Sequence, residues 1–258
     1  MATWDPTTYL AYADHRTRPF VELLSAVDLG PGDARRIVDL GCGPGHLTHF
    51  LRSRWPDAEI LGVDSSPEMM ARAEAGNDDP RVRYEVASAQ TWRPADTVDL
   101  IVSNAMLQWV DDQWAVLDRQ LEALAPRGVI AVGVPDNADE PAHRLLYELA
   151  DREPYRAALS GARRLKRVGP DAYLDYFTDN GLRVDAWSTT YLHVLTGDDP
   201  VFEWISGTGA RPFLQGLDDQ LRPRFAEEYR TMLRAAYPAR DFGAVFPFRR
   251  TFAVASRG

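Results

Sequence analysis

The sequence predicts an α/β fold with a doubly wound, mostly parallel sheet, and two observations lead to this prediction. From Arg36 to Val134, short β-rich runs alternate with segments in which apolar residues recur every three or four positions. The runs LIVSN and VIAVGV are continuously apolar, which is typical of strands buried on both faces. Regular alternation of this kind places helices on both sides of a parallel sheet.

The elements of this region can be assigned in order. Strands are predicted in RIVDL, AEILGVD, VRYEVA, VDLIVSN and GVIAVGVP, and helices in HLTHFLRSRW, SPEMMARAEA and DQWAVLDRQLEALAP. Ser66 before Pro67 predicts a helix start with Ser66 as N-cap. The segment from Ala125 to Gly128 predicts the turn that ends the third helix.

The pattern changes after Pro135. Residues 141–180 are predicted to be mostly helical, and the strand GLRVDAWSTTYLHVL follows a helix stop at Asn180 and Gly181. Residues 200–237 are predicted to be helical, and FPFRRTFAVASR to be a final strand. We therefore expect a single domain over 1–258, with a core of 36–135 preceded by 1–35. Residues 136–258 would supply late strands and a helical insertion that caps the carboxyl ends of the strands.

Composition narrows the classes of function. The formal net charge of -9 argues against a nucleic-acid partner, because binding phosphates requires a concentrated basic face. A single cysteine excludes an internal disulfide, and Cys42 is predicted to be a small turn residue and not a nucleophile. Because an apolar signal core and a membrane-length apolar run are both missing, we expect a cytoplasmic protein without a membrane partner. The sequence does not determine the oligomeric state, and a monomer is favoured.

The stretch DLGCGPGHLTHFL places Gly41, Gly43 and Gly45 between the first strand and the first helix, where open α/β sheets bind ligands. A phosphate loop would require a lysine after the last glycine, and a dinucleotide fingerprint would place its third glycine later. The spacing fits the GxGxG of S-adenosylmethionine enzymes. Asp64 ends the second strand and is predicted to accept hydrogen bonds from ribose hydroxyls, the alternative being a helix cap.

The segments VDLGCGPG, GVDSSPEMM, VASAQTW, VSNAMLQW and LAPRGVIAV together resemble the class I, seven-stranded S-adenosylmethionine-dependent methyltransferases, from Val38 to Pro135. The resemblance implies a Rossmann-like sheet of seven strands, S-adenosylmethionine as cofactor, and a helical lid over residues 1–35. It also implies that Met69 lies near the adenosyl group. Ser88 stands where many members have Asp, so backbone groups of Ala89 or Gln90 would contact the adenine. The predicted cofactor-binding residues are Asp39, Gly41, Gly43, Gly45, Asp64, Ser65, Met69, Ser88, Ala89, Gln90 and Asn104.

Two features bear on the methyl acceptor. Methyltransferases that act on base amino groups carry an Asn/Asp-Pro-Pro-aromatic box after the fourth strand, whereas this chain has SNAM, which disfavours DNA or RNA. No cluster of histidines and carboxylates has metal-ligand spacing, so we predict no metal. His46 and His49 are expected to be surface or packing residues.

Outside the core, TWDPTTYLAYADHRTRPF, SNAMLQWV, VPDN, WSTTYLHV, GTGARPFL and the final strand resemble the trans-aconitate methyltransferase family, so the similarity spans nearly the whole chain. This resemblance implies methyl transfer to one carboxylate of a small tricarboxylate. A carboxyl group with a pKa of about 4 is already ionised at neutral pH, so a general base is not required. Alignment and removal of water are sufficient for an in-line displacement.

A tricarboxylate requires cationic partners, preferably arginines. Arg18, Arg211 and Arg250 each lie in a family-like segment, and Arg211 is the first choice because Gly209 allows a close approach of the chain. The alternative for Arg18 is a solvated position before the first helix. The alternative for Arg250 is that its side chain faces solvent. Its neighbour Arg249 is the other residue that could face solvent instead.

Aromatic residues are predicted to form the lid and walls of the acceptor site. Tyr9 lies in the N-terminal segment, and Trp92 and Trp109 follow the third and fourth strands. Core packing is the alternative for either tryptophan. Tyr191 and His193 share one face of a strand by alternation, and one polar contact to substrate is predicted from this pair.

Other functions stay open at this point. The same fold could methylate another small metabolite, such as a phenol or an amine. A cofactor-binding protein without catalysis, or an NAD enzyme, is a further alternative.

Overall fold

The computed structural model describes residues 13–258, with side chains from residue 17 onward. The strands are β1 (Arg36–Leu40), β2 (Glu59–Asp64), β3 (Val82–Val86), β4 (Val98–Asn104), β5 (Leu124–Pro135), β6 (Arg183–Leu195), β7 (Ala239–Arg240) and β8 (Gly243–Ser256). The helices are α1 (Ala13–Ser25), α2 (Thr48–Arg54), α3 (Pro67–Ala75), α4 (Gln113–Glu122), α5 (Pro141–Ala150), α6 (Arg156–Leu159), α7 (Pro170–Asp179), α8 (Pro200–Ser206), α9 (Arg211–Gln215) and α10 (Leu221–Ala236).

The sheet has the strand order β3-β2-β1-β4-β5-β8-β6, and β7 pairs with β8 outside this order. β1 pairs in parallel with β2 and β4, β2 with β3, and β4 with β5. The chain therefore leaves β1 in one direction and β4 in the other, and ligands of open α/β sheets bind at such a switch point. The prediction of a doubly wound, mostly parallel sheet is confirmed.

The predicted count of seven strands is wrong, because the sheet formed by residues 13–258 has eight. The additional strand is β7, whose two residues pair antiparallel with Gly243 and Ala244. Both β7 residues are exposed. A two-residue exposed strand leaves neither an apolar run nor an alternation in the sequence, so nothing in the pattern indicated it.

The turn predicted from Ala125 to Gly128 is also wrong. α4 ends at Glu122 and these four residues belong to β5, where the register against β4 shifts between Val98 and Leu100. Arg127 takes a positive φ of 67° at this irregularity. A proline and a glycine therefore mark a bulge inside the strand instead of the turn before it.

The late elements follow the prediction closely. Gly181 has a φ of 76° at the end of α7, as expected for a helix stop, and β6 and β8 lie where long strands were predicted. The predicted helical stretch 141–180 is interrupted between Leu159 and Pro170.

The described chain divides into two compact units. We call residues 13–134, 168–188 and 251–258 the core unit, and residues 135–167 and 189–250 the insertion unit. One boundary falls at Pro135, where the sequence pattern changes. The single domain with divisions at residues 35 and 135 stays a prediction.

The hydrophobic core of the core unit lies around its parallel strands. It includes Val38, Ile101 and Ile130 from β1, β4 and β5, with Tyr173 and Phe177 from α7. The candidate site lies at the carboxyl ends of these parallel strands. Over residues 13–258, every helix is too short or too polar to cross a membrane.

Candidate functional site

The glycine turn follows β1 and has left-handed backbone geometry at three positions. Gly41, Gly43 and Gly45 have φ angles of 82°, 56° and 72°, a region that other residues enter only with strain. A Cβ on Gly41 would overlap the side chain of Met106, and one on Gly45 would lie 2.5 Å from the hydroxyl of Tyr84. At Gly43, by contrast, no described atom lies within 4 Å of the Cβ position. Gly43 is therefore the position of the turn that leaves room for a ligand.

Asp64 joins this turn to the end of β2. Its Oδ2 accepts a hydrogen bond from the N–H of Gly43 at 3.0 Å, and its Oδ1 accepts one from the N–H of Ser66 at 2.9 Å. The N-cap of α3 is Ser66, whose hydroxyl accepts from the N–H of Met69 at 3.3 Å. The capping role considered for Asp64 thus belongs to Ser66. Each carboxylate oxygen keeps a second lone pair, so Asp64 can still accept ribose hydroxyls.

Two titratable groups beneath the turn have raised pKa values. Asp39 is 3 % exposed, and burial, followed by repulsion from Asp64, raises the pKa of its carboxyl to about 7. Burial, with further repulsion from Asp39 and Asp64, raises the pKa of the Cys42 thiol well above its usual value. Cys42 therefore stays protonated at neutral pH, which agrees with the prediction that it is a small turn residue and not a nucleophile.

The remaining predicted cofactor residues lie around the ends of β2 and β3, apart from Asn104, which is the last residue of β4. Met69 is buried against Cys42 in a small cluster on α3, whereas Ser65 is exposed. After β3, the hydroxyl of Ser88 accepts from the N–H of Gln90 at 3.3 Å, which forms a tight turn around Ala89. The side chains of Ser88 and Gln90 are exposed and that of Ala89 is half-buried. Their contacts to a cofactor stay predictions.

The end of β4 contains a strained residue that the sequence did not indicate. Ala105 follows Asn104 and has a φ of 59°, and its N–H donates to the carbonyl of Gly133 at 2.7 Å. Alanine has no preference for this left-handed conformation, so the local sequence carried no signal. Strain of this kind concentrates at functional sites. Trp109 is half-buried in the 3-10 turn that follows, Leu107–Trp109.

Trp92 and Arg18 occupy positions that give the acceptor prediction no support. Trp92 is part of the hydrophobic core, and its indole N–H donates to Glu85 at 3.1 Å. The alternative for Arg18, a solvated residue, is confirmed, but Arg18 lies inside α1 and not before it, because the proline at position 19 does not end the helix. Its side chain is 71 % exposed and donates to Glu22 at 2.7 Å. Tyr9 lies outside the described residues.

The insertion unit contains a buried cluster of aromatic rings, and one of these rings contacts a buried arginine. Tyr191 and His193 are both buried on one face of β6, with ring centroids 6.2 Å apart, which confirms the alternation. His193 stacks on Trp204 at 4.9 Å. Arg250 on β8 is 4 % exposed, and its guanidinium lies over the ring of Phe248 at 5.5 Å. Outward exposure of Arg250 is therefore wrong, and the arginine belongs to the interior.

The neighbouring arginine is engaged elsewhere, so the expectation that Arg249 faces solvent is also wrong. Its Nε lies 3.1 Å from Oδ2 of Asp136 and donates to the carbonyl of the same residue at 2.9 Å. Asp136 is fully buried and also pairs with Arg167 at 3.1 Å. The VPDN segment thus anchors two arginines at the start of the insertion unit.

Arg211 is the first residue of α9 and is half-buried, which lowers the pKa of its guanidinium. Two residues earlier, a Cβ on Gly209 would lie 2.6 Å from Nε2 of His143. His143 is 4 % exposed, and burial lowers its pKa to about 4, so the ring is neutral at pH 7. Nothing in the sequence pattern distinguishes His143, which has the helical spacing of an ordinary buried residue on α5.

The histidines and carboxylates bear on the question of a metal site. Among the side chains from residue 17 onward, no group of three histidine, cysteine or carboxylate residues is arranged to hold a metal ion. The Nδ1 of His49 lies 2.9 Å from the carbonyl of His46, and its ring packs on Phe50 at 3.9 Å. His49 thus contributes to local packing on α2.

Solved structures with the same fold include methyltransferases. The YcgJ protein of Bacillus subtilis has a TM-score of 0.58 at 15% identity, over 93% of this chain and 97% of that one. A Haemonchus contortus phosphoethanolamine N-methyltransferase, solved with phosphomonomethylethanolamine and S-adenosylhomocysteine, has a TM-score of 0.55 at 15% identity. That match covers 94% of this chain and 52% of the other. At these identities the likeness shows the fold.

Several proteins are much more similar to this chain in sequence than the solved structures are. A family described as "Methyltransferase domain" matches residues 37–128. Proteins named trans-aconitate 2-methyltransferase are 48% identical in Streptomyces avermitilis, over 99% of this chain and 97% of that protein, and 45% identical in Mycobacterium tuberculosis, over 99% and 97%. The Streptomyces coelicolor relative of the same name is 47% identical over 99% of this chain and 87% of its own. The chain therefore belongs to the trans-aconitate 2-methyltransferase family of S-adenosylmethionine-dependent methyltransferases.

Proposed function

We propose that the chain transfers a methyl group from S-adenosylmethionine to one carboxylate of trans-aconitate, or of a close small tricarboxylate, and so forms a monomethyl ester. The observation that carries this proposal is the identity of 45% to 48% over 99% of the chain with relatives named for this activity. These relatives favour a carboxylate acceptor over the phenol and amine alternatives.

The residues at the ends of β1 and β2 fit the cofactor. The open space at Gly43 admits a ligand close to the backbone, and Asp64 offers its remaining lone pairs to ribose hydroxyls. Met69 and the turn from Ser88 to Gln90 are proposed to contact the adenosyl end. When bound, S-adenosylmethionine supplies a sulfonium methyl group, which a carboxylate oxygen accepts while the bonding electrons return to sulfur and no proton moves.

Arginines of the insertion unit are proposed to bind the acceptor. Arg250 is buried and lies over the ring of Phe248, and a guanidinium in such a low-dielectric setting attracts a carboxylate more strongly than one in water. Arg211 is half-buried and, like any arginine, keeps its charge at neutral pH. Tyr191 and His193 line the same cluster as Arg250 and are proposed to orient the substrate.

The reaction places few demands on acid–base groups. The acceptor carboxylates are ionised at neutral pH, so the protein needs to orient one of them and exclude water from its oxygen. Exclusion of water also strengthens the contacts between the arginines and the carboxylates. We therefore propose that no residue acts as a general base.

The decisive assay is incubation of the protein with S-adenosylmethionine and trans-aconitate, followed by mass spectrometry. We expect a monomethyl ester and an equal amount of S-adenosylhomocysteine. Parallel reactions with cis-aconitate, isocitrate, a phenol and an amine define the acceptor class. If saturating cofactor yields no ester of trans-aconitate while a phenol or amine is methylated, the proposed acceptor is wrong and only the methyltransferase family remains.

A further inference from the structure

The segment that carries Arg211 lies against one face of α5. His143 and Tyr147 are four residues apart on this helix, so their rings project from the same side, with centroids 6.1 Å apart. The ring of Tyr147 packs on that of Phe213 at 5.7 Å, and the ring of His143 lies against Gly209. Arg211 stands midway between the two positions that α5 contacts.

The contact at Gly209 has almost no free space. His143 is 4 % exposed, so its imidazole cannot rotate into solvent to make room. A Cβ on Gly209 would lie 2.6 Å from Nε2 and 3.2 Å from Cδ2 of this ring. The closeness of the backbone to the ring therefore depends on the glycine.

Further contacts hold the same segment in place. Phe213 is fully buried, and the N–H of Ala210 donates to the carbonyl of Ile205 at 2.9 Å. The N–H of Arg211 donates to the carbonyl of Thr208 at 3.2 Å. The backbone on both sides of Arg211 is thus fixed, and the imidazole of His143 sets its position on one side.

We propose that His143 is a positioning residue for the acceptor: its imidazole supports Gly209 and thereby holds the guanidinium of Arg211 where it binds an acceptor carboxylate. This inference rests on the proposed function of Arg211. His143 touches neither the substrate nor the cofactor in this proposal. Its effect should therefore appear in the affinity for the acceptor and not in the affinity for S-adenosylmethionine.

Four variants test the proposal: Gly209→Ala, His143→Ala, the double variant with both changes, and His143→Phe. We expect Gly209→Ala to raise KM for trans-aconitate by about tenfold, because the new methyl group displaces the segment from the ring. In the His143→Ala background the colliding ring is absent, so adding Gly209→Ala should change KM by less than about twofold. His143→Phe keeps a ring of similar shape and should stay within about threefold of the wild-type KM.

The readouts separate positioning from general damage. The cofactor Kd and the melting temperature are measured for each variant, and the cofactor Kd should change by less than about twofold. Gly161→Ala is the matched control, since no described atom lies within 4 Å of the Cβ position there. It should leave KM unchanged.

The outcomes are distinct. The inference is overturned if Gly209→Ala raises KM equally in the wild-type and the His143→Ala backgrounds. It is also overturned if Gly209→Ala alone has the wild-type KM. If Gly209→Ala does not fold, the comparison of His143→Ala with His143→Phe decides, and equal KM values in these two variants overturn it. If wild-type protein forms no ester, the proposed function fails and the inference fails with it.

Discussion

Replacing Asp39 by asparagine tests the electrostatics beneath the glycine turn. In the folded protein, burial raises the pKa of this carboxyl to about 7, whereas its ordinary value is 3.8. Between about pH 4 and pH 7 the unfolded chain therefore releases a proton that the folded chain retains. The raised pKa thus stabilises the fold at low pH, and that stability is lost as the pH rises towards 7.

The expected change in the unfolding free energy follows from the difference between the two pKa values of Asp39. About three pKa units at 1.36 kcal/mol each correspond to about 4 kcal/mol of unfolding free energy across the whole interval. About 3 kcal/mol of this is expected between pH 5 and pH 8. The amide that replaces the carboxyl has no titratable proton, so Asp39→Asn should gain this amount relative to wild type as the pH rises from 5 to 8.

The assay is urea unfolding of the cofactor-free protein at pH 5 and pH 8, with wild type and variant compared at each pH. Taking the difference removes the contribution of other titrating groups, His143 included. Asp78→Asn controls for the loss of one charge, because Asp78 is exposed. A difference between Asp39→Asn and wild type that changes by less than about 1 kcal/mol between the two pH values would refute the reasoning.

Three further changes address the site. Asp64→Ala should raise the cofactor Kd at least about tenfold by calorimetry, whereas Ser66→Ala should lower the unfolding free energy by about 1 kcal/mol and leave that Kd unchanged. If Asp64→Ala and Ser66→Ala change the unfolding free energy and the cofactor Kd to similar extents, the result would count against a ribose contact of Asp64. Gly43→Ala should lower the unfolding free energy by about 1–2 kcal/mol, because alanine is strained at the positive φ of this position. It should also raise the cofactor Kd, and an unchanged Kd would mean that the ligand does not approach the backbone at Gly43. Arg211→Lys should raise KM for the acceptor about tenfold in steady-state assays with the cofactor Kd unaltered, and a wild-type KM removes Arg211 from the acceptor site.

The fold was largely predictable because its signals are local and repeated. Apolar runs such as VDLIVSN and the Ser66–Pro67 helix start each have one dominant structural outcome, and both were confirmed. The errors arose where one signal has two outcomes. Pro126 and Gly128 suit a turn or a bulge, and pairing with β4 selected the bulge.

The candidate site was less predictable, because burial depends on neighbours that are distant in sequence. Arg249 and Arg250 are adjacent on β8, so their side chains face opposite sides of the sheet. This alternation does not tell which of the two sides is buried. The contact of Arg250 with the ring of Phe248 and the pairing of Arg249 with the carboxylate of Asp136 decide it. His143 gave no signal at all, since its role in the fold depends on a glycine 66 residues away.

The two hydrogen bonds of Asp64 have a consequence for engineering this family. One carboxylate joins the loop after β1, through Gly43, to the loop after β2, through Ser66. A loop transplanted from a relative keeps these bonds only if its backbone presents the N–H at the same position, because both donors are backbone groups and the acceptor is a single side chain. Chimeras that preserve the length and geometry of both loops should therefore retain activity far more often than those that alter either loop.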